Sequence, residues 1–269
     1  MSQITNTHGF DKYIISRHSL IHTDQDIWIF GYGSLTWRPA FEFTDQQPAW
    51  LHGFQRVWHQ GSTDHRGTPQ KPGRVVTIVN DQSSDVVGMV YKIDRNKADD
   101  ILDYLDVREQ GGYVIVHLPI YFHTSTNKQK PDFTQSPDIY ALCYVAVEGN
   151  SDWLGPCGTP ELATQILHSV GPSGRNTEYL LRLCEFILHV GGCIELRREL
   201  QTYEIYHIIL SHIELDIQRA FDSNECKSSD DEKSEPVMPR TCSYTELLDQ
   251  NKKSCHTHDV VKQRRASVK

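Results

Sequence analysis

The run Ile27-Trp28-Ile29-Phe30-Gly31-Tyr32-Gly33-Ser34-Leu35-Thr36-Trp37 takes an apolar strand into two glycines one residue apart, then a small hydroxyl. It fails as a dinucleotide fingerprint, because Thr36 holds the third glycine position and Pro39 stands where a phosphate-binding helix would be under way. It fails as a nucleophile elbow too, since no glycine lies two residues beyond Ser34. What remains is a tight glycine turn at a strand end. Successive backbone N–H groups in such a turn converge on an anion, and glycine lets a ligand approach the main chain closely. A turn that needs glycine only for its dihedrals is the plain alternative.

Three further stretches crowd polar residues between regular elements. Gln60-Gly61-Ser62-Thr63-Asp64-His65-Arg66-Gly67 and then Lys71-Pro72-Gly73-Arg74 read as a surface connection on a sheet, where function collects. Asp64 and His65 invite a catalytic-pair reading, but sequence neighbours rarely aim at each other, so an exposed turn is expected. Arg74 offers a planar fork to a carboxylate, with a plain surface arginine the equal alternative. Tyr104 to Tyr113 ends a helix, breaks at Gly111-Gly112 and starts a β-rich run. Glu109 stands on that joint, either aimed into a cleft or solvated beside Arg108. Gly171 to Leu181 is a glycine loop feeding a helix N-terminus, where orphan N–H groups favour anions; capping is the simpler role for Thr177 and Glu178. Cys255-His256-Thr257-His258 lacks a second pair at metal-ligand spacing, and no H-E-x-x-H, Walker or EF-hand pattern occurs.

The elements that position these residues are mixed. Strand-like runs are Ile27–Gly31, Gly53–Trp58, Arg74–Val79, Val86–Ile93, Tyr113–Tyr121 and Ile139–Val147. Asp94 caps a helix with apolar residues at 98, 101, 102 and 105, and Thr159-Pro160 starts a second. Asn176 caps a third, Thr177–Val190, closed by Gly191-Gly192, and a long helix follows over roughly Glu195–Ala220. Strands come first and helices later, which predicts α+β, a curled sheet or small barrel carrying helices. Residues 123–138 read as a long exposed loop. The chain of 269 residues carries 27 basic and 35 acidic groups, a net charge of −8 that argues against nucleic acid as a partner. No apolar run approaches the roughly 18 residues of a membrane span, and residues 1–26 lack a signal-peptide core. Seven cysteines, an odd number without a C-x-x-C pair, favour a reducing compartment, the cytosol. From Asp222 onward nine acids balance nine bases with little that is apolar, so three parts are expected. These are a flexible extension over 1–25, one domain over 26–221 and a disordered tail over 222–269.

Six stretches, in one order over roughly residues 26–217, resemble the ChaC family of glutathione-specific γ-glutamylcyclotransferases: Phe30–Leu35 with Trp37, Gln60–Gly67, Lys71–Thr77, Val107–Tyr113, Leu154–Pro156 and Gly171–Leu180. The resemblance implies a cyclotransferase-type α+β fold around a small barrel. It also implies cleavage of glutathione to 5-oxoproline and cysteinylglycine with no metal or cofactor. The glycine turn, Gly31, Tyr32, Gly33, Ser34, Leu35 and Thr36, would hold the γ-glutamyl group, Glu109 would be the acid/base, and Arg74 and Tyr179 are weaker candidates for substrate contact. In such a reaction the substrate's own α-amine attacks its γ-carbonyl. A glutamate of ordinary acidity would take a proton from an amine about 3.5 pH units more basic, roughly 5 kcal/mol uphill. A raised Glu109 pKa is therefore expected, with Tyr32, Trp37 and Tyr113 excluding water and Arg108 pointing elsewhere. The rival readings are a cyclotransferase for other γ-glutamyl amino acids or amines, a non-catalytic module that binds γ-glutamyl ligands, and an interaction protein working through its tail.

Overall fold

The computed structural model describes residues 9–15, 26–109, 112–123 and 130–225. Five strands close a barrel: β1 (Ile27–Gly31), β2 (Asp45–Ser62), β3 (Gly73–Ile93), β4 (Tyr113–Phe122) and β5 (Ile139–Ala146), in the order β1-β3-β2-β4-β5. Neighbours run antiparallel except β1 with β5, which is parallel and completes the ring. The helices are α1 (Ala98–Arg108), α2 (Thr159–His168), α3 (Asn176–Arg198) and α4 (Leu200–Glu225), and a small hairpin pairs β6 (Val170–Gly171) with β7 (Gly174–Arg175). The chain divides into two compact units, one ending at His212 and one beginning at Ile213. The barrel, α1, α2 and α3 belong to the first, and the described part of the second is the end of α4. The expected α+β barrel is what the chain forms.

Strand lengths differ from the sequence expectation. β3 is one strand of 21 residues where two were expected, because the polar stretch between Asn80 and Asp85 is a bulge whose two ends still pair, Asn80 with Phe54 and Asp85 with His52. Its side chains are partly or fully exposed, so polarity there marks a bulge in a continuous strand and not a break. β2 shifts register at His52/Phe54, where Gly53 has φ +83°, and again between Val57 and Gln60. Such bulges bend a strand sharply, as a five-stranded ring requires.

α1 forms because Ala98, Ile101, Leu102 and Leu105 share one face and bury it against Ile27, Ile29, Ile93 and Leu142 of the barrel. Each large side chain so buried is worth about 1.5–3 kcal/mol. The Asp94 carboxylate accepts from the Asn96 N–H at 2.9 Å and starts the short 3-10 turn ahead of the helix. α1 ends at Arg108; the Glu109 N–H still reaches Leu105 O at 2.8 Å, but Glu109 has left helical geometry.

Two expected caps do other work. The Thr159 hydroxyl donates to Glu204 at 2.9 Å while Gly158 takes the N-cap position. Asn176, fully buried, accepts from the Arg74 N–H at 2.7 Å and donates to Arg74 O at 2.8 Å. Its amide mimics a neighbouring strand and fastens the start of α3 to the start of β3. Gly192 (φ +72°) interrupts α3 near where closure was expected, but the helix resumes to Arg198.

Parts read as loose are packed. Phe10, 1% exposed, stacks on Phe54 at 5.4 Å, and Ile14 bridges Val116. The expected loop over 123–138 is a largely exposed loop where described, anchored by Phe133, which stacks on His52 at 4.5 Å, and by Lys130, which reaches Asp85 at 2.8 Å and Glu195 at 3.1 Å. Small apolar anchors inside polar segments are easy to overlook in a sequence. The tail beyond Glu225, with its Cys255–His258 stretch, lies outside the described residues. No helix among the described residues is long and apolar enough to cross a membrane.

Replacing Asn176 by Ala leaves two buried backbone groups of Arg74 unpaired, at about 1–3 kcal/mol each. Urea unfolding is expected to show a loss of about 2–5 kcal/mol, with Asn176→Asp, which keeps the acceptor, losing less.

Candidate active site

A cavity of about 450 Å³ opens beside the C-terminal end of β1, between the glycine turn, the 60–67 connection, the end of α1 and the first turn of α3. Gly31, Tyr32, Gly33, Ser34 and Leu35 line one wall, and Glu109, Tyr113 and Tyr179 line others.

The turn is built by close approach. A Cβ on Gly33 would lie 2.7 Å from the Tyr179 hydroxyl, and one on Gly31 would lie 2.4 Å from the Leu35 Cβ. Neither glycine has a positive φ, so contact with packed neighbours demands them. The N–H groups of Thr36, Trp37 and Arg38 are spent within the turn, on Gly33 O at 3.0 Å and on Ser34 O at 3.3 and 2.9 Å. Those of Gly33, Ser34 and Leu35 have no partner among the described residues. N–H groups left open in such a turn are able to meet an anion. Thr36 is a correction: its hydroxyl donates to Gly33 O at 2.8 Å, and it does not line the cavity.

Glu109 is 16% exposed. Burial pushes its carboxyl above the ordinary carboxylate value; Arg108 and His65 pull it back in part, and Asp64 adds to the rise. Arg108 does not point away as expected, since its Nε lies 3.5 Å from Glu109 Oε1. Yet its two Nη atoms are committed elsewhere, Nη2 to Ser34 Oγ at 2.8 Å and Nη1 to Arg38 O at 3.1 Å and Pro39 O at 3.0 Å. The guanidinium thus laces α1 to the glycine turn, and desolvation remains the largest influence on Glu109.

Three tyrosines enclose the acid. Burial, with the Glu109 carboxylate contributing, raises the hydroxyls of Tyr32, Tyr113 and Tyr179, so all three stay protonated donors. Tyr32 donates to Tyr144 O at 2.9 Å. The Tyr179 hydroxyl accepts from the Val76 N–H at 3.4 Å, which leaves its own proton free, and its ring packs edge-on against Trp37 and Trp58. Cys143 lies fully buried behind the site; burial and Glu109 both push its thiol up, so it is no thiolate nucleophile.

Arg74 is a second correction. It is 5% exposed, does not line the cavity, and gives its fork to Trp58 O at 2.9 Å, Gly155 O at 2.6 Å and Gln165 at 2.9 Å. Asp64 and His65, expected to diverge, meet at 2.7 Å between Asp64 Oδ1 and His65 Nδ1, and both line the cavity. Arg66 was not singled out by the sequence; it lies buried in the wall, bound to Arg175 O and the Glu178 carboxylate at 2.9 Å each. The only sequence signal for these was a run of polar residues between two glycines. No group of three or more His, Cys, Asp or Glu side chains among the described residues converges on a metal position.

The closed five-stranded barrel with flanking helices is a γ-glutamylcyclotransferase fold, and the chain belongs to the ChaC-like protein family, whose model it matches over residues 27–201. It is 41% identical over 165 residues to glutathione-specific γ-glutamylcyclotransferase 1 of Mus musculus, covering 61% of this chain and 70% of that one. It is 37% identical over 196 residues to γ-glutamylcyclotransferase 2-3 of Arabidopsis thaliana, covering 71% and 94%. Among solved structures it is similar to a glutathione-specific γ-glutamyl cyclotransferase from yeast, with a TM-score of 0.62 and 27% identity, over 70% of this chain and 97% of that one.

Folding raises the pKa of Glu109, so just above the ordinary carboxylate range the folded protein holds a proton that the unfolded chain has lost. Stability contributed by the protonated group is present below the unfolded value and lost as pH rises through the folded one. Glu109→Gln should therefore melt higher than the parent near pH 8, the difference closing toward about pH 4. Thermal scans at both pH values check this.

Proposed function

We propose that this chain cleaves glutathione by intramolecular cyclisation, releasing 5-oxoproline and L-cysteinylglycine, with Glu109 as the acid/base. The observation that carries this reading is the desolvated Glu109 carboxyl facing the unpartnered N–H groups of Gly33, Ser34 and Leu35 across one cavity. The activity named for the mouse and yeast relatives supports the choice of substrate.

The α-amino nitrogen of the substrate bonds to its own γ-carbonyl carbon as the bond from that carbon to the cysteinyl nitrogen breaks. Two protons pass from the attacking ammonium to the leaving nitrogen, and one carboxyl carries them in succession and ends as it began. Neither a protein nucleophile nor a metal is needed for this balance. The tether supplies proximity, worth about 7–11 kcal/mol in a well-oriented intramolecular attack. Burial of Glu109 makes it a stronger base than a solvated glutamate and narrows the gap to the amine. The free N–H groups of the turn hold the α-carboxylate, while Tyr32, Tyr113 and Tyr179 wall off water. The cytosol is part of the proposal: Cys143, Cys157 and Cys184 are free thiols, which fits a reducing compartment.

Incubation with reduced glutathione should yield cysteinylglycine and 5-oxoproline, and faster turnover of γ-glutamyl-alanine would reassign the substrate. Glu109→Gln should lower kcat by about 10²- to 10⁴-fold. In the parent, kcat/KM should rise with pH along a limb that lies above the ordinary glutamate value, because the free carboxylate is the base; a limb at the ordinary value would remove Glu109 from that role.

A further inference from the structure

A tripeptide with a γ-linked glutamate carries two carboxylates about a molecule's length apart. The glycine turn accounts for one of them. With that one seated there, the other, at the glycine end, would have to reach the open side of the cavity, where Arg38, Asp64, His65, Tyr104 and Val107 are exposed.

Four cationic or potentially cationic side chains line the cavity, and three are already committed. The Arg66 guanidinium, 9% exposed, is held by Arg175 O and the Glu178 carboxylate. Arg108 serves Ser34, Arg38 O and Pro39 O and lies against Glu109. His65 faces Asp64. Arg38 differs. Its main chain is pinned at both ends, its N–H on Ser34 O at 2.9 Å and its carbonyl under Arg108 Nη1 at 3.1 Å. Its guanidinium has no partner among the described residues and is exposed at the mouth. The protein carries a net charge of −8, and Asp64, Glu109 and Asp152 add three carboxylates to the cavity wall. An anionic substrate approaching that wall needs a local cation, and a fork on a fixed stem is suited to a planar carboxylate.

Resting on the activity proposed above, we infer that Arg38 is the specificity-determining residue that binds the C-terminal carboxylate of glutathione. It sets the preference for the tripeptide over γ-glutamyl compounds that lack an anion at that distance.

The test compares glutathione with its C-terminal glycine amide on the parent, Arg38→Ala and Arg38→Lys. The parent should prefer glutathione by about 10- to 100-fold in kcat/KM, the range expected for hydrogen bonds to a charged group. Arg38→Ala should lose that factor on glutathione through KM and bring it to the level of the amide, and Arg38→Lys should restore part of it. The glutathione KM of the parent should also rise with ionic strength, and less so in Arg38→Ala. A parent that treats acid and amide alike overturns the assignment, as does an Arg38→Ala variant that weakens both equally. If the parent cleaves neither compound, the proposed activity itself falls, and the assignment with it.

Discussion

A carboxyl placed where water cannot solvate it is the constraint on which the rest of the site depends. Glu109 stands one residue past the end of α1, 16% exposed, with the buried Tyr32 and Tyr179 and the half-buried Tyr113 around it. Burial pushes its carboxyl above the ordinary value. The Arg108 Nε at 3.5 Å pulls the other way, but that guanidinium is shared with Ser34, Arg38 and Pro39 and does not form a dedicated ion pair. The outcome is an acid whose pKa is raised by burial and pulled back in part by Arg108. A group of that kind can take a proton and give it back.

The scaffold serves this balance through close packing. Tyr179 can press its hydroxyl against the turn only because residue 33 lacks a Cβ, and α3 can bring Tyr179 there only because Asn176 fastens the helix to β3. Arg74 and Arg66 stiffen the wall by binding backbone carbonyls, which removes their charge from competition for substrate. An arginine that holds the main chain together and one that meets a ligand look alike in a sequence. Here the difference is burial: Arg74 is 5% exposed and Arg38 open to solvent.

Much of the fold was legible because its signals are local. The strand cores, the apolar stripe of α1 and the Thr159-Pro160 start follow from periodicity and turn chemistry, and the structure places elements there. Errors arose where long-range partners overrode local preference. Asn176 and Thr159 have the side chains of helix caps but bind Arg74 and Glu204 instead. Polar residues 80–85 read as a break but form a bulge within a continuous strand. Phe10 anchors part of an N-terminal segment whose composition suggested looseness.

The amino-acid order by itself determined the α+β class, the glycine turn after β1 and the position of Glu109 at a helix-to-strand joint, since each depends on neighbours a few residues apart. Only the tertiary structure decided that Asp64 and His65 meet, that Thr36 and Arg74 turn away from the cavity, and that Arg108 touches the acid it was expected to avoid. Those outcomes are set by which buried donors and acceptors find partners from distant strands. Hydrogen-bond satisfaction in a closed barrel is a property of the whole ring, and no window of sequence contains it.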